Sequence, residues 1–342
     1  MRLYLILIAI GCITASAFLT GLVRRVLVSR RRLVIPGERS LHDVPTPQGG
    51  GIAIVAATIA AQCLLAAFGI VPSATLLAFG GGGIAVALIG YLDDRRHVPP
   101  LVRISVHFAA ALWALFWLGG LPTLGESMTL GIGGYVLGAL GIIWSLNLFN
   151  FMDGIDGIAA SEAAFVAFAG AVLSVVIGSS AAAPAIALML GCACVGFLIW
   201  NWPPAKIFMG DVGSGYVGYT IALLVVVAAR DNPVAWLVWL ILGAVFFVDA
   251  TLTLARRSSR GERVYEAHRS HAYQRLARRW GHRPVTLGAL LINVLWLLPC
   301  AWLAAVYPEH AAWITLVALT VIALGALAVG VGRRETPIST NQ

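Results

Sequence analysis

Apolar runs recur along the chain at the length a bilayer demands. A helix needs about 20 apolar residues to cross the hydrocarbon core. Eleven runs approach that length, near 3–23, 50–70, 74–92, 101–119, 130–149, 159–178, 183–200, 214–229, 234–255, 286–306 and 311–331. Their middles are almost free of charge. The first run is long, lacks a clear cleavage site and ends in arginines, so it reads as a retained helix rather than a signal peptide. The pattern predicts an all-α, polytopic integral membrane protein: one membrane domain over 1–342 with about eleven transmembrane helices.

Composition agrees. Hydrophobic residues make up 60% and charged residues 11% of the 342, against about 25% charged in soluble domains. Mean hydropathy is +0.89. The net charge of +8 suggests nucleic acid only until its distribution is read. With eleven spans, the loops near 24–47, 93–103, 150–158, 201–213, 256–285 and 332–342 share one side, and they carry all 23 Lys and Arg residues except Arg2 and Arg230. That asymmetry predicts that these loops are cytoplasmic and the N-terminus outside. It also attracts anionic lipid headgroups and phosphorylated ligands, with no role for nucleic acid.

The five cysteines all lie in apolar spans. Cys192 and Cys194, two apart on a helix, point in different directions, so they read as small core residues rather than a metal or redox pair. GGGG at 80–83 and the Ala/Gly-rich runs fit close helix packing.

Polar residues carry the remaining information. Of 15 acidic residues, only Glu126, Asp231 and Glu309 are assigned to the outer loops. The others fall in clusters on the cytoplasmic side, at the mouths of spans. Asp93 and Asp94 close the third span, Asp153 and Asp156 follow the fifth in NLFNFMDGIDG, and Asp211 precedes the eighth in MGDVGSG. The last large loop offers Glu262, Glu266, His268 and His271 among arginines. A single acid at a helix mouth is often a cap or an interfacial charge. Five aspartates at three mouths of one face point further, because neighbouring carboxylates repel unless a cation or proton lies between them. Hard oxygen donors suit Mg²⁺, which commonly joins a few carboxylates to a phosphate substrate. Arg95, Arg96, Arg103, Lys206, Arg263 and Arg269 supply anion partners, and Gly210, Gly213 and Gly215 permit close backbone approach to phosphate. His268 and His271 have no third histidine or cysteine nearby, which weighs against zinc. Asp249, inside a span, reads either as functional or as a paired structural group near the cytoplasmic end.

These segments, from PTPQGGG at 45–51 to HRSHAYQRL at 268–276, resemble the polyprenyl-phosphate N-acetylhexosamine-1-phosphate transferases. The wording is most like the branch that initiates O-antigen. The resemblance implies a catalytic cleft on the cytoplasmic face of a bacterial inner membrane. It implies that Asp93 and Asp94 act near the metal and the lipid phosphate. Asn147, Asn150, Asp153 and Asp156 match a substrate and catalytic motif, with Asp153 near the nucleotide. Asp211 matches the likeliest magnesium ligand, with Asp94 beside it. Asn201 and Phe208 match uridine-contacting positions, and His268 and His271 the histidine motif. Arg263 and Arg269 are expected to bind substrate. Mg²⁺, replaceable by Mn²⁺, is the implied cofactor. Implied partners are undecaprenyl phosphate, a UDP-N-acetylamino sugar and membrane lipid, with a homodimer open as an assembly. His97, His-Arg-Ser-His and PTPQGGG depart from the muramoyl-pentapeptide branch. In the implied reaction the lipid phosphate attacks the donor's β-phosphate with UMP leaving and Asp93 accepting a proton; a covalent aspartyl route remains the competitor. A transporter is disfavoured because the acids collect on one face instead of at mid-membrane.

Overall fold

A computed structural model of the chain describes residues 2–35, 44–96, 98–121, 131–262 and 269–333. Its elements in order are α1 (Arg2–Ser29), α2 (Gly51–Ala67), α3 (Ser73–Asp93), α4 (Pro100–Leu118), α5 (Gly131–Met152), α6 (Ile158–Val176), α7 (Ala182–Asn201), α8 (Asp211–Asp231), α9 (Ala235–Leu242), α10 (Ala244–Ser258), α11 (Ala272–Trp280), α12 (His282–Ile292), α13 (Leu298–Val306) and α14 (Ala311–Val329). Every expected apolar run coincides with a helix or a helix pair. Among the described residues nine helices are long and apolar enough to cross a membrane by length and composition. The pair α9–α10 passes that test together but bends by 76°. The second run, α2, has 17 residues, the short end of the spanning range. The protein is therefore a multi-pass, all-α membrane protein. Among the described residues, strand pairing is confined to isolated bridges.

Helix α8 forms the axis of the bundle, with 94% of its apolar window buried. Small residues let its neighbours reach it. A Cβ on Gly83 would meet the Tyr216 ring at 2.8 Å, and one on Gly90 the backbone oxygen of Asp211 at 2.5 Å. The glycine packing predicted at 80–83, with Gly90 further along the helix, thus brings α3 directly onto α8. Gly51 does the same for α2, with Gly213 of α8 against it. The PTPQGGG segment then follows the loop before α8. Phe208 N donates to Pro47 O at 2.8 Å, Gly50 N to Phe208 O at 2.9 Å and Gly51 N to Met209 O at 2.9 Å.

Three features depart from the periodic reading. Glu162, which the sequence assigned to the acids at span mouths, lies inside α6 and is 1% exposed. It is kept there by Asn293, whose Nδ2 donates to Glu162 Oε2 at 2.5 Å. A π-helical turn, Asn293–Leu297, interrupts the run 286–306 at that same asparagine. The third is α11, a short helix with two arginines in its last turn, Arg278 and Arg279, inside what the sequence left as a loop.

Candidate active site

The carboxylates at the ends of α3, α5 and α8 meet because Gly90 lets α3 and α8 touch just below them. Asp94 is the organising group. Its Oδ1 accepts from Asp211 N at 2.9 Å and from Gln48 Nε2 at 2.7 Å, and its Oδ2 accepts from Val212 N at 3.2 Å. An α-helix leaves its first amides without partners, and here a carboxylate from another helix satisfies two of them. Gly210, in the left-handed region at φ +76°, sets the entry to α8, and a Cβ there would meet Asp94 Oδ2 at 2.5 Å. Burial outweighs these donors and raises the Asp94 carboxyl above its ordinary value, helped by the charge of Asp93.

Asp93 accepts from Val98 N at 2.9 Å through Oδ1 and pairs with Arg103 through Oδ2. Arg103 also reaches Asp211 Oδ2 at 3.3 Å. Asn150 Nδ2 donates to Ser214 Oγ at 3.2 Å in the first turn of α8. Asp153 faces the same cluster, and among the described residues nothing donates a hydrogen bond to its carboxylate. Burial raises its carboxyl well above the ordinary value, and Asp211, Asp94 and Asp156 push it further the same way.

Asp156 is turned to an adjacent cavity of about 480 Å³ lined also by Phe208, Pro204, Ala205, Arg278 and His282. Its Oδ2 accepts from Ala205 N at 3.0 Å and lies 3.3 Å from His282 Nδ1. Asn201 stands behind this cavity, 3% exposed, with Oδ1 accepting from Gly157 N at 3.1 Å and Nδ2 donating to Ile207 O at 2.9 Å. It locks the Asp156 loop to the Phe208 loop. Asn147 Nδ2 donates to its own helix at Ile143 O, 2.8 Å away.

His271 is buried at 2% exposure, its Nδ1 3.2 Å from Asp249 Oδ1. Asp249 repeats the device of Asp94: it accepts from Ala272 N at 3.0 Å and Tyr273 N at 3.1 Å, capping α11 from another helix. Asp249, which the sequence left open between a functional and a structural role, is thus paired with His271 and with the start of α11. Tyr273 OH donates to Phe151 O at 2.9 Å, which ties α11 to the last turn of α5, just before Asp153. Arg269 lies at the entrance to this segment, its carbonyl accepting from Arg278 Nη2 at 3.0 Å. His268 and Arg263 lie outside the described residues.

The structure therefore brings together Asp93, Asp94, Asn150, Asp153 and Asp211, and places Asp156 and Phe208 in a neighbouring cavity. Gln48, Tyr273 and His282 were not picked out as site partners by sequence. Gln48 had a signal, since it is the one amide side chain beside the glycine run.

The Glycosyl transferase family 4 model matches residues 76–229, the stretch that runs from α3 through α8. The decaprenyl-phosphate N-acetylglucosaminephosphotransferase of Mycobacterium leprae is 32% identical over 321 residues, covering 83% of this chain and 79% of the relative. The chain belongs to the polyprenyl-phosphate N-acetylhexosamine-1-phosphate transferases. Two further members of the family fit the same alignment pattern. The probable undecaprenyl-phosphate N-acetylglucosaminyl 1-phosphate transferase of Bacillus subtilis is 28% identical, over 81% of this chain and 78% of its own. The phospho-N-acetylmuramoyl-pentapeptide-transferase of Trichormus variabilis is 28% identical over 75% of this chain and 72% of its own. The chain is thus a sugar-1-phosphate transferase of the membrane, and the acidic cluster lies inside or beside the segment that defines the family.

Proposed function

We propose that the protein transfers an N-acetylamino-sugar 1-phosphate from a UDP-linked donor to undecaprenyl phosphate, releasing UMP, and so initiates O-antigen or a related envelope glycan. The observation that carries this reading is Asp153, a half-buried carboxylate that faces three others and to which no described residue donates a hydrogen bond. The names of the Bacillus and Mycobacterium leprae relatives support N-acetylglucosamine as the sugar. His-Arg-Ser-His at 268–271 argues against a muramoyl-pentapeptide donor. The arginine-rich loops support a site on the cytoplasmic face of a bacterial inner membrane.

Mg²⁺ fits the donor set. Among the described residues no three His, Cys, Asp or Glu side chains form a ready metal cage. An ion that keeps waters and completes its shell with substrate phosphate is what such a partial set suits. Asp211 and Asp153 would hold it; Asp94 is already occupied by Gln48 and two amides. When bound, Mg²⁺ offsets charge on the donor's diphosphate and on the departing UMP.

The chain's own groups supply the rest. Phe208 offers a ring face, and Asp156 an acceptor for a base N–H, in the cavity between them. Arg103, shared by Asp93 and Asp211, can exchange a carboxylate for a phosphate oxygen without losing a charged partner. Asp93 would take the proton of a monoprotonated acceptor as its phosphate oxygen attacks the β-phosphorus. The bond from that phosphorus to the α-phosphate oxygen then breaks and its electron pair leaves with UMP. Asp94 and Asn201 act on these groups through the backbone.

Purified protein given undecaprenyl phosphate and a panel of UDP-sugars is expected to release UMP with UDP-GlcNAc or another N-acetylamino donor. Chelation by EDTA should stop release, and Mg²⁺ or Mn²⁺ should restore it. No UMP from any N-acetylamino donor, or release unaffected by EDTA, would rule the proposal out.

A further inference from the structure

Glu162 takes no part in the chemistry above, yet it sits one turn inside α6, the helix that starts two residues after Asp156. A carboxyl group within a membrane bundle is costly unless a partner holds it. Its partner is Asn293, whose Nδ2 donates to Glu162 Oε2 at 2.5 Å. Both side chains are closed off from solvent, Glu162 at 1% and Asn293 at 0% exposure. Among the described residues neither Glu162 Oε1 nor Asn293 Oδ1 has a hydrogen-bond partner. The two side chains are therefore held by each other, and only while their helices keep one register.

Asn293 shares a stripe with two residues that grip the Asp156 loop. Thr286 Oγ1 donates to Asp156 O at 2.9 Å, and His282 Nδ1 lies 3.3 Å from Asp156 Oδ2. At 3.6 residues per turn, positions 282, 286 and 293 fall within about 40° of one another. The face of α12 turned to α6 thus carries two polar contacts at the site and a third about 10 Å deeper. The span changes pitch at that third contact. Leu298 N donates to Asn293 O, closing the π-turn Asn293–Leu297, and Pro299 after it has no N–H to donate. Helices change direction at π-turns and prolines, so the segment beyond Asn293 does not fix the rotation of the segment before it.

We propose that Glu162 and Asn293 are positioning residues: their contact sets the rotation of α12 against α6 and, through His282 and Thr286, holds Asp156 at the donor cavity. The proposal rests on the transferase reading above, in which Asp156 accepts from the nucleotide base. Asp156 Oδ2 keeps its contact with Ala205 N at 3.0 Å when α12 turns, so donor binding weakens without being lost. Asp93, Asp94 and Asp211 belong to the ends of α3 and α8 and keep their partners, so the lipid acceptor is unaffected.

The test uses the full-length protein in nanodiscs with undecaprenyl phosphate and a UDP-N-acetylamino sugar. The double variant E162L/N293L replaces both partners by apolar side chains of similar size, so its melting temperature should match or exceed the original. Its KM for UDP-sugar should nevertheless rise about tenfold, the scale of one well-placed hydrogen bond, with the KM for the lipid within about twofold. Glu162→Gln keeps an acceptor for Asn293 and removes the acid, and should hold the donor KM within about twofold. Adding E162L/N293L to H282A/T286V should raise the donor KM by no more than about twofold further, because the route through α12 is already cut. Glu162→Met, close to the original in shape, serves the same comparisons if the leucine pair does not fold. An unchanged donor KM in the folded variant would overturn the proposal, as would a donor KM raised equally by Glu162→Gln. Effects that multiply in full with those of H282A/T286V would overturn it too. UMP release by the unsubstituted protein separates the two readings: none refutes the transferase chemistry, whereas turnover with an unaltered donor KM in the variants refutes only the positioning role.

Discussion

Asp211→Asn is expected to remove turnover and leave the bundle folded. The backbone N–H of Asp211, not its carboxylate, is held by Asp94 at 2.9 Å, so the cap on α8 survives the substitution. The side chain is partly exposed and contacts Arg103 at 3.3 Å, a weak contribution to stability at a surface-accessible position. Its proposed work lies wholly in holding charge at the diphosphate. Loss of one preorganised electrostatic contact costs about 10²–10³-fold in kcat, and loss of a metal ligand costs at least as much. UMP release measured beside thermal unfolding checks this. A variant within about tenfold of the original rate would remove Asp211 as a metal ligand.

Asp153→Asn should separate stability from activity in a more telling way. The folded-state pKa of Asp153 is raised well above the ordinary carboxylate value by burial and by Asp211, Asp94 and Asp156. The unfolded chain titrates near about 3.9. The folded state therefore binds this proton more tightly than the unfolded state does. The associated stability is fully present below the unfolded value and is lost as pH rises through the raised folded value. At neutral pH the ionised group is a net cost in the absence of a cation. Asparagine removes that cost, so the metal-free variant should unfold at a higher temperature than the original at pH 7.5, with the gap closing as pH falls toward about 4. Activity should fall by about 10²-fold or more, and Mg²⁺ should raise the melting temperature of the original far more than that of the variant. A variant less stable at pH 7.5 and insensitive to pH would contradict this account of Asp153. Such an exchange of stability for function is common where sites hold like charges together.

The apolar runs, the glycine-mediated packing and the acidic mouths were legible in the sequence because each depends on local composition or period. Eleven runs became eleven helices or helix pairs, since a bilayer leaves the backbone few other ways to satisfy its hydrogen bonds. The two capping carboxylates were not legible in the same way. Asp94 and Asp249 each satisfy a helix far along the chain, across 117 and 23 residues, and no local spacing encodes such a partner. Asp156 had the opposite fate: its motif neighbour Asp153 faces the acidic cluster, while Asp156 turns to Ala205 and His282. A helical spacing of three cannot decide this, because the motif leaves the helix after Met152. Glu162 escaped because one acid inside an alanine-rich run resembles a span boundary until Asn293 is seen beside it. The 76° bend between α9 and α10 was not read from the sequence, where 234–255 forms a single apolar run.

The most direct test of the chemistry follows the fate of one phosphorus atom. With donor labelled at the β-phosphate, undecaprenyl phosphate and Mg²⁺, the label is expected to enter the lipid phase in step with unlabelled UMP in the aqueous phase. Label that stays in water as UDP, with sugar alone moving to the lipid, would show hexosyl transfer and contradict the assignment of this acidic cluster to sugar-1-phosphate transfer.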